Sequence, residues 1–154
     1  MAPLLIKNPQ ALKEMMGREI GVTEWFQITQ QRVHQFAEAT EDRQWIHVNR
    51  ERASQESPYG TTIAHGFLTL SLISYFVKEL IDIQDGVGLA VNYGLNRVRF
   101  PAPVPSGSKI RARIFLLAWK ELVDSIEATF KVTIESDQSE KPSCVAEWIV
   151  RYYA

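Results

Sequence analysis

Between Phe67 and Ile81 the chain places Phe67, Leu68, Leu70, Leu72, Ile73, Phe76, Val77, Leu80 and Ile81 at spacings that cover most of a helix circumference. The polar interruptions before Lys78 are Thr69, Ser71 and Ser74, small hydroxyls that a helix backbone can satisfy. A helix that is apolar nearly all round must be buried on nearly all sides. In a chain of 154 residues only a sheet curling around the helix does that.

The C-terminal half supplies the sheet. Ile110, Ala112, Ile114, Leu116 and Ala118 alternate with Arg111, Arg113, Phe115, Leu117 and Trp119. Ile126, Ala128, Phe130, Val132 and Ile134 alternate with Ser125, Glu127, Thr129, Lys131 and Thr133, the clearest one-sided strand of the sequence. The two runs are close enough to form an antiparallel hairpin. Leu89–Phe100 and Cys144–Tyr153 read as further strands, with Pro101, Pro103, Pro105 and Gly107 breaking the chain between them. Arg18–Thr29 also alternates and predicts a strand, and Thr29 is a helix N-cap for Val33, Phe36, Ala37 and Thr40. Met1–Met16 reads as a short leading helix, Glu41–Arg50 as a loop and Arg50–Gln55 as a helical turn. The expectation is one α+β domain over residues 1–154, an antiparallel sheet wrapped around one long central helix.

Charge removes several function classes. Lys and Arg total 17, Asp and Glu total 18, and each half of the chain is balanced too. Neither a nucleic-acid footprint nor a polybasic membrane surface is expected. The longest stretch without a formal charge, Ser57–Val77, is interrupted by Pro58, Gly60, His65 and Gly66, so no membrane span is expected. No basic region leads into an apolar core and cleavage site at the start, and the chain is read as soluble and cytoplasmic. Cys144 is the only cysteine and reads as a small buried hydrophobe.

No nucleophile elbow, dinucleotide-binding glycine pattern or phosphate-binding loop is present, and His34, His47 and His65 lack the spacing of a zinc helix. Two segments remain. In Ala39–Asn49 a carboxylate, Asp42, and an imidazole, His47, lie five residues apart directly after a helix. Converging on one water, they would orient it and accept its proton. On spacing alone the better reading is local backbone capping by Asp42 and a satisfied, half-buried His47. In Pro58–Phe67, Gly66 opens the buried helix, where an unpaired N–H faces outward and the absent side chain lets a carbonyl approach. On this segment alone the better reading is an ordinary glycine at a tight helix entry.

Taken together, the segments resemble the MaoC-like dehydratases, including the (R)-specific enoyl-CoA hydratases and the nodulation protein N-like branch. The resemblance rests on Asp42 to His47, on Tyr59-Gly60-Thr61-Thr62-Ile63-Ala64-His65-Gly66 and on Val98-Arg99-Phe100-Pro101-Ala102-Pro103-Val104, and it runs from about Thr23 to the C-terminus. It implies a hot-dog fold and the hydration of trans-2-enoyl-CoA to (R)-3-hydroxyacyl-CoA, or the reverse dehydration. It implies that Asp42 and His47 activate the water and that the Gly66 N–H binds the thioester oxygen. It implies no metal or redox cofactor, coenzyme A entering only as the carrier part of the acyl-CoA substrate, and a homodimer. The family loop usually reads Gly-Asp-x-Asn-Pro-Ile/Leu-His, and here Glu41, Gln44 and Trp45 stand in place of Gly, Asn and Pro. A hot-dog acyl-CoA thioesterase and a non-catalytic acyl-binding module are the competing readings.

Other residues have plainer readings. Arg97, Arg99, Arg111 and Arg113 fit a solvated strand face better than a coenzyme A phosphate site. Asn92 and Asn96 are candidates for contact with the thioester arm, and Trp45 for a wall of the acyl pocket.

Overall fold

The computed structural model describes residues 2–154. Strands β1 (Leu4–Ile6), β2 (Glu19–Val22) and β3 (Phe26–Gln27) come first. Helices α1 (Gln30–Thr40), α2 (Trp45–Val48), α3 (Arg50–Glu56), α4 (Gly66–Ser71) and α5 (Ile73–Leu80) follow. Strands β4 (Ile81–Ile83), β5 (Leu89–Arg99), β6 (Lys109–Glu121), β7 (Ser125–Ser136) and β8 (Ser139–Tyr153) complete the chain. The main sheet is antiparallel in the order β2-β6-β7-β8-β5, with β3 beside β2 on the same flank of β6. Its inner face is the predicted stripe: Ile110, Ile114, Leu116, Ala128, Phe130, Val132, Ile134, Cys144 and Ala146 are wholly buried against the α4–α5 layer. Fully burying one such large side chain contributes about 1.5–3 kcal/mol, and a contiguous core of these residues holds the sheet on the helices. This is the hot-dog arrangement expected.

Several elements depart from expectation, each for a local reason. The central helix is two segments, because the Ser71 hydroxyl donates to the Leu68 carbonyl at 2.7 Å and the backbone turns at Leu72. Its cover is incomplete: Phe67 is 70% exposed on the flank that faces β5, and Tyr75, packed beside Phe26 of β3, is also open. In β6 a bulge between Leu116 and Ala118 reverses the alternation. Ala118 therefore points out, and Trp119 turns in to donate its Nε1–H to the Pro9 carbonyl at 3.0 Å. The strand expected over Arg18–Thr29 is two strands, since the Thr23 hydroxyl takes the Ala112 N–H at 2.9 Å and interrupts the ladder.

The expected leading helix is instead β1, which pairs in parallel with β4, followed by a 3-10 helix over Pro9–Met15 that Asn8 caps. Met1 of that expected helix lies outside the described residues. The Glu41–Arg50 loop contains the one-turn helix α2. Strand β8 begins at Ser139, five residues before the apolar run that announced it. Among the described residues, no helix is long and apolar enough to cross a membrane.

Candidate active site

The 42–49 loop is aimed by the way α1 ends. Thr29 caps α1, its side chain accepting the Arg32 N–H at 3.1 Å, and the helix runs to Thr40. Glu41 then takes the left-handed conformation with φ of 64° and sends the chain back across the helix end. This is the position where the family loop carries glycine, the residue that adopts that conformation without cost. Arg43 reaches both Glu38, at 2.7 Å, and Glu41, and ties the turn to the last turn of α1. Asp42 follows, half-exposed, with Oδ1 accepting the Gln44 N–H at 3.4 Å. The capping role is thus present but long, and Oδ2 is left over.

Segment 62–65 clamps the other side of the loop. The Ile63 N–H donates to the Ile46 carbonyl at 3.0 Å, and the Ile63 carbonyl accepts from His47 Nδ1 at 2.7 Å. A carbonyl only accepts, so the proton of neutral His47 belongs to Nδ1 and the lone pair to Nε2. His47 is 7% exposed, and burial holds its imidazole below the ordinary value of 6.5. At neutral pH it is therefore an uncharged base. Gln30 supports it from α1, its Nε2 donating to the His47 carbonyl at 2.8 Å. The buried Thr62 hydroxyl donates to Gln30 Oε1 and lies 3.0 Å from the Ser106 hydroxyl.

The fold brings the two expected side chains together. One carboxylate oxygen of Asp42 and one ring nitrogen each of His47 and His65 lie within 4.8 Å of one another. A single water hydrogen-bonded at about 2.8 Å to two groups spans such a gap. These three residues are also the one cluster of potential metal ligands among those described. The His47 and His65 rings, however, are stacked 3.7 Å apart with planes only 21° from parallel. Nearly parallel rings send their in-plane lone pairs side by side, not to one point about 2 Å from both, as a shared ion requires. The cluster fits an acid–base site better than a metal site.

Gly66 follows His65 directly and is the first residue of α4, so its N–H has no partner inside the helix. A side-chain carbon there would meet the Phe100 ring at 3.1 Å, so the backbone lies bare beneath an aromatic wall. A cavity of about 360 Å³ opens beside it, lined by Tyr59, Ala64, Thr69, Phe100 and Val104 among others. A larger cavity of about 440 Å³ between α5 and strands β5 and β8 touches none of Asp42, His47 or Gly66.

Gln30, Thr62 and the Ile63 carbonyl were not singled out in the sequence. Each acts across 16 or more residues of chain, and no local pattern marks such a contact. The remaining candidates are placed as follows. Trp45 lies under the Arg52 guanidinium at 4.2 Å. Arg111 and Arg113 pair with Glu135 at 2.8 and 3.2 Å, and Arg113 also with Glu19, as a ladder on the outer face. Asn92 accepts from the Trp148 Nε1–H at 3.1 Å and lines the larger cavity, while Asn96 pairs opposite Glu147. Cys144 is buried, and its thiol is pushed up to about 11 by that burial.

Comparison with known proteins places this geometry in context. The model of the MaoC like domain matches residues 11–138. The 3-hydroxyacyl-thioester dehydratase Z of Mycobacterium tuberculosis is 51% identical over 139 residues, covering 90% of this chain and 91% of that one. Nodulation protein N of Rhizobium leguminosarum is 43% identical over 137 residues, covering 87% and 84%. The unliganded R-hydratase of Pseudomonas aeruginosa superposes with a TM-score of 0.68 over 90% of this chain and 81% of that one, at 21% identity, and so shares the fold.

Proposed function

The chain belongs to the MaoC-like family, and on that footing we propose that it hydrates trans-2-enoyl-CoA to (R)-3-hydroxyacyl-CoA, or runs the reverse dehydration. The carrying observation is the His47 tautomer. With Nδ1–H committed to the Ile63 carbonyl, Nε2 of the uncharged ring keeps its lone pair, and one ring nitrogen of His47 lies within 4.8 Å of an Asp42 carboxylate oxygen. The water between them loses its proton to this pair as its oxygen bonds to the β-carbon. The electron pair of the double bond moves toward the thioester oxygen, where the Gly66 N–H stabilises the charge. The same pair then returns the proton to the α-carbon, so water is added and nothing is oxidised or reduced. Coenzyme A is the carrier of the acyl group. The apolar, exposed edge strand β5 and the open flank of α4 are covered, in this reading, by a second copy of the chain.

Steady-state assays with enoyl-CoA thioesters of several lengths test the proposal. Loss of the conjugated enoyl absorbance without release of free thiol is expected. Thiol release from saturated acyl-CoA would make the protein a thioesterase. Unchanged crotonyl-CoA at high enzyme concentration would make it a binding module.

A further inference from the structure

His65 touches every part of this site, yet the chemistry above gives it no task. It is 3% exposed and lies between the Phe36 ring, at 5.0 Å, and the His47 ring, at 3.7 Å. Its Nε2 is 2.8 Å from the main-chain carbonyl of Asp42, which can only accept, so Nε2 carries the proton. Its own carbonyl accepts the Leu68 and Thr69 N–H groups and so closes the first turn of α4, immediately behind Gly66. One residue therefore connects the carboxylate, the imidazole and the candidate oxyanion donor.

The remaining ring nitrogen defines what this connection can do. His65 Nδ1 is buried and has no hydrogen-bond partner among the described residues. A proton placed there would have no acceptor among the described residues. His65 thus has no path for relaying a proton and is an N–H donor with a flat face.

We propose that His65 is a positioning residue: its Nε2–H fixes the Asp42 main chain and its ring fixes the plane of His47, so that carboxylate and imidazole meet on one water. The assignment rests on the hydratase reading and extends it to a residue whose Nε2, 4.0 Å from the Asp42 carboxylate, is already committed to the Asp42 main-chain carbonyl. Misplacing a reacting group by about 1 Å costs on the order of 10²-fold in rate, so the effect belongs in kcat.

The test is a double-mutant cycle on the full-length protein with crotonyl-CoA. His65→Phe keeps a ring against His47 and removes the N–H; His65→Gln keeps an N–H at similar reach and removes the ring. Each is made alone and combined with Asp42→Asn. His65→Phe should lower kcat by at least about 10-fold with KM within about 3-fold, and in the Asp42→Asn background the same change should cost less than about 3-fold, because the placement no longer serves a base. Should His65→Phe not fold, His65→Gln is read against the same criteria. Equal losses in both backgrounds would reduce His65 to a packing role and overturn the proposal, as would an unchanged kcat. An unmodified enzyme that hydrates no enoyl-CoA removes the hydratase reading itself, and this assignment with it.

Discussion

Replacing Gly66 by alanine separates the chemistry of the site from its stability. The backbone at Gly66 is an ordinary helix start and not left-handed, so alanine meets no dihedral strain. Helix propensity favours alanine over glycine by about 0.8–1 kcal/mol. Against this, the new methyl meets the Phe100 ring at 3.1 Å, and Phe100, itself 39% exposed, must move by a few tenths of an ångström. The two effects oppose, so the net stability change should stay within about 1 kcal/mol, or about 2–4 °C in Tm for a chain of this size. Activity should respond differently. A misaligned oxyanion donor forfeits part of the roughly 2.7–4 kcal/mol that one such donor supplies, so hydration of crotonyl-CoA should fall by at least about 10-fold and by less than the roughly 10²–10³-fold of a donor lost outright. The assay is initial-rate absorbance of the conjugated thioester, run beside a thermal melt. Full turnover in folded Gly66→Ala protein would show that the thioester oxygen binds elsewhere.

Burial depresses His47, so the folded state binds fewer protons than the unfolded chain below pH 6.5. Its contribution to stability is therefore fully present above pH 6.5 and is lost as pH falls through the lower folded value; urea midpoints should show that slope and His47→Gln should flatten it. The same depression predicts that kcat/KM rises with pH through a midpoint below 6.5, and a midpoint above 6.5 would contradict a neutral, buried base. Glu41→Gly relieves a left-handed residue whose ion pair with Arg43 is exposed and worth little, and should raise stability by up to about 1 kcal/mol; a lower Tm would refute the strain. Leu89, Val91, Tyr93 and Leu95 lie open along the β5 edge, so light scattering should give twice the 17.6 kDa chain mass, and a stable monomer at micromolar concentration would refute the dimer.

The parts legible in advance were those written with a local period. The β6–β7 hairpin, the Thr29 cap and the buried helix all follow from spacings of two or about three and a half residues. Features that depend on a partner strand were not legible: the Leu117 bulge that turns Trp119 inward is visible only once Phe130 and Thr129 stand opposite. The same holds for the break at Leu72, where one hydroxyl outweighs a continuous apolar pattern. In the site, local spacing alone favoured plain capping and packing for Asp42, His47 and Gly66. Only the combined motifs and their resemblance to a family named them, and the fold puts Asp42 and His47 within reach of one water. His65 stood in a recognised motif without a role, because what it does depends on a bond to a residue 23 positions away.

The central claim is that Asp42 and His47 act as one unit on one water, and a kinetic cycle on the two residues tests it most directly. Asp42→Asn keeps shape and hydrogen-bonding capacity but removes the charge, and His47→Gln removes the imidazole at similar length. Each single change should lower the rate of crotonyl-CoA hydration by at least about 10²-fold, and the double mutant should be little worse than the weaker single, since neither partner activates water alone. Near-normal turnover by well-folded Asp42→Asn protein, or losses that simply multiply in the double mutant, would contradict the mechanism.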